Sequence, residues 1–217
     1  LSNVSSANEL LSTELLMQDK SKKVKRKAIK KDAKGKNYGL DNHFKLSDLI
    51  LRDDGGAILI AEHRHVYTTS YTDPNTGRTV YTTHYEHDDI LIISISSQGI
   101  IEWERKISKE QHTTGPILSS YTLAVVKDKL YFIFNDNLKN HDPKSTRTYN
   151  FGGKKKNLIT SIYEVTSDGY IAKDILTSYN EMNSRFFPGL SSQIGDNKVL
   201  LYIQARKKSE KAMLLTF

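Results

Sequence analysis

The sequence predicts an all-β protein, and three observations carry that prediction. From residue 44 onward the chain runs as short apolar stretches of period two, separated by Asp, Gly, Asn and Lys turns. Three segments, "DLILRDDGGAILIAEH", "YTLAVVKDKLYFIFND" and "SSQIGDNKVLLYIQAR", share one plan of apolar strand, tight polar turn and second apolar strand. Two of them are followed by another hairpin, "DDILIISISSQGIIEWERKI" and "NLITSIYEVTSDGYIAKDIL". A shift of 70 residues lays Ile93, Ile95, Ser97, Gly99 and Ile101 on Tyr163, Val165, Ser167, Gly169 and Ile171. Glycine at the same turn position in both copies predicts a positive φ there, and the matched apolar positions keep one face buried.

Two hairpins per repeat make a four-stranded unit, the usual blade of a β-propeller. The approximate units are 44–107, 117–177 and 186–217, within a body of 41–217. The third stops after "KAMLLTF", so the chain holds about two and three-quarter blades. Propellers have about four to eight blades and commonly close by sharing a strand between chain ends, so the expectation is the C-terminal part of a larger propeller. A β-sandwich or an open stack of sheets is the alternative.

The N-terminal 1–40 is a different kind of sequence. It holds ten Lys/Arg against Glu9, Glu14, Asp19 and Asp32, so six of the seven net positive charges sit there and the body is nearly neutral. Ser6 and Glu9 have capping-box spacing and few helix breakers precede Gly35, which predicts a helix over about 7–34. Its apolar stripe, Leu11, Leu15, Val24 and Ile29, is interrupted, whereas Lys20 to Lys31 is densely basic. Contact with an anionic lipid or polyanion fits that density; a solvated helix or flexible insert fits it better, because no aromatic residue accompanies the lysines. The net charge is therefore no sign of nucleic-acid binding.

Composition excludes further classes. With no cysteine there are no disulfides, thiolate nucleophiles or cysteine-ligated metals. No apolar run approaches the roughly 20 residues of a membrane-spanning helix, and no signal-peptide pattern opens the chain. A chain that begins with Leu reads as a mature product, a cleavage fragment or an engineered product.

The stretch "HVYTTSYTDPNTGRTVYTTHYEH", residues 65 to 87, is the candidate binding surface. Asp73-Pro74-Asn75-Thr76-Gly77 is turn chemistry, and the arms on each side are β-prone. Two registers fit. One sets Tyr71 against Tyr81, Thr69 against Thr83, Tyr67 against Tyr85 and His65 against His87, giving a single Tyr/Thr/His surface. A one-residue slip sets Tyr67 against His84 and Tyr71 against Val80 and dissolves it. The arms are too polar for a core strand, so the hairpin is expected to project between the second and third strands of its unit. Such a surface suits a protein or a sugar, since Tyr has a flat apolar face and a polar tip. Cross-strand pairs that merely stiffen a ribbon remain the competing reading.

Other clusters carry weaker signals. His63, His65 and His87, near Glu62, Glu86, Asp88 and Asp89, have metal-ligand chemistry without a helical HExxH, and read more simply as surface charge pairs. "NDNLKNHD" at 135–142 lacks the spacing and Gly of a calcium loop. "GGKKK" at 152–156 is a basic turn with neither Walker nor dinucleotide spacing, and Trp103 reads as a packed residue before a sugar platform. No GxSxG elbow occurs; carboxylate pairs for glycoside hydrolysis are a matter of spatial separation, which a sequence does not give.

"DGGAILIAEH", the Tyr/Thr hairpin, "DDILIISISSQGIIEWERKI", "SSYTLAVVKDKLYFIFNDNLKN" and "YNFGGKKKNLI" together resemble an uncharacterised propeller-like family of Bacteroidota cell-envelope and secreted proteins. The resemblance runs from about residue 40 to the end, and the leader is similar to a Lys-rich insert of that family. It implies export to the envelope (periplasm, outer-membrane association or secretion), no established enzyme activity and no functional residues to carry over. The expected function is a non-enzymatic binding or scaffold module without cofactor or metal. It would recognise an envelope protein, such as a member of an outer-membrane complex, through its loops and the hairpin. A carbohydrate-binding or carbohydrate-active protein, with a site completed by upstream blades, is the alternative.

Overall fold

Three antiparallel sheets account for nearly all the regular structure in the computed structural model, which describes Leu15, Arg26, Lys30 and residues 43–152, 154–205 and 209–217. The helix expected over 7–34 lies outside the described residues, except that Leu15, Arg26 and Lys30 are each helical. The first sheet has the order β1 (Phe44–Leu51), β2 (Ala57–Thr72), β3 (Thr79–Ile95), β4 (Ile101–Ile107), and β5 (His112–Thr113) also pairs with β3. The second is a plain meander of β6 (Thr122–Val126), β7 (Lys129–Asn137), β8 (Leu158–Val165) and β9 (Ile171–Ser178). In the third, β13 (Glu210–Thr216) runs along one edge of β12 (Lys198–Ala205), while β10 (Ser184–Phe186) and β11 (Ser192–Gly195) divide the other. The protein is all-β, and none of these sheets closes on itself.

The chain divides into two compact units, one taking residues up to His63 with Asp89–Ser108, the other Arg64–Asp88 with Lys109–Phe217. Ile58, Ile60, Ile90, Leu91, Ile92, Ile93 and Ile107 are the buried apolar residues of the first. There the β1–β2 turn is fixed by Arg52, whose guanidinium pairs with Asp54 and Glu102 and donates to Ser94 Oγ at 2.7 Å. Those partners raise Arg52 above its ordinary value, Glu102 first, and hold Glu102 below the ordinary carboxylate range. A side chain at Gly56 is excluded, because its Cβ would lie 2.6 Å from the Ile95 carbonyl oxygen.

One turn recurs in three hairpins. Arg52 N donates to Gly56 O, Ser96 N to Ile100 O and Thr166 N to Tyr170 O, while Gly55 N, Gly99 N and Gly169 N donate back to Arg52 O, Ser96 O and Thr166 O. The three glycines have φ of 84°, 82° and 80°. This is the three-residue hairpin loop that ends in a left-handed residue, where a Cβ is strained and glycine is not. The turn glycines matched by the 70-residue shift thus share one backbone geometry.

In the second unit the second and third sheets pack face to face. Ala124, Val126, Ile133, Phe186, Val199 and Leu201 form the buried centre, with Tyr131, Ile162, Leu176, Met213, Leu215 and Phe217 around it. Alternation in β6, β7 and β12 turns every second side chain into this layer. Main-chain groups are satisfied across it: Gln193 Oε1 accepts from Val125 N at 2.9 Å and Gln193 Nε2 donates to Val125 O at 2.8 Å. The long β7–β8 connection is held by Asn140, which donates to Asp136 Oδ1 and Tyr149 O and accepts from Tyr149 N.

Candidate binding site at the base of the hairpin

Beyond His63, where its pairing with β1 ends, β2 continues to Thr72 and returns as β3 from Thr79. Asp73 N donates to Arg78 O and Gly77 N to Asp73 O, both at 2.9 Å. The Asp73 carboxylate accepts from Asn75 N at 2.8 Å and Thr76 N at 3.4 Å, which keeps it below the ordinary carboxylate range, and Gly77 has φ 66°. The loop is therefore 74–77, closed by Asp73 and Arg78, and this fixes the register. Thr72 meets Thr79 (3.0 Å between hydroxyls), Thr68 meets Thr83 (3.3 Å), and Tyr67 stacks on His84 with ring centroids 4.9 Å apart.

This register corrects the single Tyr/Thr/His surface, since of the two possibilities it is the one that sets Tyr67 against His84. Alternation leaves His65, Tyr67, Thr69 and Tyr71 on one face with Val80, His84 and Glu86, and puts Tyr81, Thr83, Tyr85 and His87 on the other. The physical cause is the Asx turn: by capping two amides, Asp73 closes the loop one residue earlier than a pairing of Tyr71 with Tyr81 requires.

The first face carries a ladder of rings. His65 stacks on Tyr67 (5.1 Å), Tyr67 on His84 (4.9 Å), and His84 lies against His112 of β5 (5.1 Å). Polar bonds run beside the stack. Glu86 Oε2 lies 3.2 Å from His65 Nδ1, Thr69 Oγ1 lies 2.8 Å from His84 Nε2, and His84 Nδ1 lies 3.0 Å from His112 Nε2. The Tyr67 phenol is raised above its ordinary value by desolvation and by the Glu86 carboxylate that accepts its hydrogen bond.

β5 holds His112 in place because it pairs with β3, Tyr85 with Thr113 and Glu86 with His112, and because the residues before it are anchored in the interior. Lys109 is buried, its ammonium donating to His87 O at 2.7 Å and Gln111 Oε1 at 3.1 Å. The Lys109 ammonium also lies 5.9 Å from the Phe134 ring centroid. Gln111 donates to Asn135 O, accepts from Ser120 N, and its own N–H bonds Asp88 Oδ1. Asn135 in turn donates to Leu118 O and Phe186 O. Burying an ammonium costs several kcal/mol unless such bonds offset it, so the hairpin base is joined to the second and third sheets by a saturated polar cluster.

Next to His84 and His112 opens a cleft of about 370 Å³, lined also by Thr113, Thr114, Gly115, Leu118, Phe151, Gly152, Lys155, Leu158 and Arg185. No Asp or Glu lines it. Lys155 lies in the basic turn read from the sequence, and its ammonium sits 5.6 Å from the Tyr179 ring. No sequence signal marked the cleft, whose walls come from four separated segments.

Two further clusters have other roles. Asp136, His141 and Ser161 have the composition of a hydrolase triad, but Asp136 Oδ2 faces the same His141 Nε2 (3.7 Å) that meets Ser161 Oγ (2.8 Å), and Ser161 donates directly to Asp136 at 3.1 Å. Ser161 is fully buried. This triplet packs the β7–β8 loop. Burial pushes Asp136 up against three donors that pull it down, and burial pushes His141 below the ordinary imidazole value. His63 packs on His43 and Phe44, while His65 and His87 face opposite ways, so the three histidines singled out in the sequence do not converge. Among the described residues no group of three or more His, Asp or Glu is placed to hold a metal ion. Trp103 is half-buried with the Arg105 guanidinium 5.9 Å from its ring. No helix among the described residues is long and apolar enough to cross a membrane. No protein-family model, curated protein or solved structure matches this chain.

Proposed function

We propose that the chain is a non-enzymatic binding module of a bacterial cell envelope, with propeller-like blades as its scaffold, and that it recognises a partner protein through the 65–87 hairpin. The observation that carries this reading is the outer edge of β2. Among the described residues no strand pairs with that edge between Val66 and Thr72, and the segment contains neither a charge nor a proline. Exposed edges are ordinarily blunted by Lys, Pro or a bulge, because bare N–H and C=O groups recruit another strand. An edge left open suits a partner that adds a strand, with affinity from main-chain bonds and specificity from alternate side chains. Val66, Tyr71, Val80 and Tyr81 are all more than half exposed on this ribbon, giving both faces an apolar grip. The envelope setting rests on the resemblance of residues 40–217. A second reading, carbohydrate recognition, draws on the cleft beside β5.

The test is a crosslinking capture from native envelope extract with three baits: the full chain, a chain in which an Asn-Gly turn replaces 66–84, and a Ser70→Pro variant. A protein held by the full chain and lost from both others supports strand addition. Capture that survives in both variants removes the hairpin from the interaction.

A further inference from the structure

We infer that the cleft beside β5 is a binding site for a single-ring acidic sugar, whose oxyanion is held by Lys155 and Arg185. This inference rests on the carbohydrate reading of the cleft and not on strand addition, since of the lining residues only His84 belongs to the hairpin.

Charge argues first. Four of the lining side chains are Lys155, Arg185, His84 and His112, and none is acidic. Among the described residues no carboxylate lies within ion-pair distance of Lys155 or Arg185. An anion in this cleft can accept the charge-assisted bonds that Arg and Lys supply. His84 Nδ1 and His112 Nε2 share one hydrogen bond at 3.0 Å, which fixes both rings in the cleft wall.

Size and lining then narrow the ligand. About 370 Å³ lies at the lower end of the roughly 300–1,000 Å³ typical of small-molecule sites, room for about one ring. A free phosphate would leave most of that space to water. Phe151, Leu118 and Leu158 offer apolar surface for a ring face, while Thr113 and Thr114 offer hydroxyls. Thr113 Oγ1 donates to Gly115 O at 2.9 Å, so its lone pairs remain to accept from a sugar hydroxyl. The acidic group could be a phosphate ester or a uronate carboxylate, since both present an oxyanion on the same ring.

The experiment is calorimetric titration of the full chain with glucose 6-phosphate, glucuronate, inorganic phosphate and glucose, repeated with Lys155→Ala, Arg185→Ala and the double variant. The expected result is that at least one sugar acid binds more tightly than inorganic phosphate, glucose does not bind, and each substitution weakens binding by about tenfold. Which acid binds identifies the source of the oxyanion. Both side chains are exposed, so the melting temperature should not move; if it does, ligand-induced shifts of the His84 and His112 ring signals in the unmodified chain supply a second readout. Affinity weaker than about 1 mM for both sugar acids overturns the inference. So does phosphate binding at least as tightly as the tighter of the two acids, or undiminished binding to a folded double variant.

Discussion

His84 Nδ1 lies 3.0 Å from His112 Nε2, so one of these two nitrogens must be bare for the other to donate. The bond joins β3 to β5 at the mouth of the cleft. Because it is exposed to water on one side, a double-mutant cycle with His84→Ala and His112→Ala is expected to give a coupling of about 0.5 kcal/mol, the low end for a hydrogen bond. Strictly additive effects in urea unfolding would show that the bond is not maintained in solution.

The two tyrosine sets should behave differently. Tyr67 is packed between His65 and His84, whereas Tyr81 stands 73% exposed on the other face. Tyr67→Ala is expected to lower the melting temperature and Tyr81→Ala to leave it within error. Equal effects, or nuclear Overhauser contacts between Tyr71 and Tyr81 rings, would restore the alternative register.

Gly56→Ala should be among the most damaging small substitutions in the chain. The added methyl would lie 2.6 Å from the Ile95 carbonyl oxygen, a backbone atom that cannot move aside alone. A loss of about 1–3 kcal/mol is expected from chemical denaturation. Gly99→Ala and Gly169→Ala should each cost about 1 kcal/mol, because both positions have a φ that an L side chain adopts with strain.

The Asp136–Ser161–His141 cluster gives a pH signature. Burial depresses His141 below its ordinary 6.5, so its contribution to stability is complete above that value and is lost as pH falls through it toward the depressed folded value. Asp136 is raised above 3.8, so its contribution is complete below that value and is lost as pH rises through the raised one. In thermal melts, the stability difference between the unmodified chain and His141→Gln is therefore expected to shrink from about pH 7 to about pH 5. A difference that grows over that range contradicts a depressed imidazole.

How much of this was legible in the sequence differs by element. The reversals at Ser96–Ile100 and Thr166–Tyr170 could be read because a positive φ leaves a glycine behind at a fixed place, whereas Arg52–Gly56 was legible only as a tight polar turn. The all-β class followed from period-two alternation. The hairpin register could not be read, because Tyr and Thr alternate on both arms and satisfy either pairing; the decision rests on Asp73 capping Asn75 and Thr76. Nor could the cleft, since His84, His112, Lys155 and Arg185 lie on four segments that only the folded sheets bring together. His112 had no neighbour in sequence to mark it, and Arg185 sits in a three-residue strand with no periodicity to show a face.

The meander has a kinetic consequence. In β1–β2, β3–β4, β6–β7, β8–β9 and β12–β13, each strand pairs with its immediate neighbour in sequence, so closing these pairs requires only short loops. The β7–β8 connection is the long one, yet loop-closure entropy grows only by about 0.6 kcal/mol per doubling of length, and Asn140 braces that loop internally. Neighbour pairings of this kind favour faster folding than the distant pairings of Greek-key sandwiches of similar size. Each hairpin can zip as soon as its own residues emerge, so a chain delivered from its N-terminus, by a ribosome or through a translocation pore, has its early strands paired before its last ones arrive.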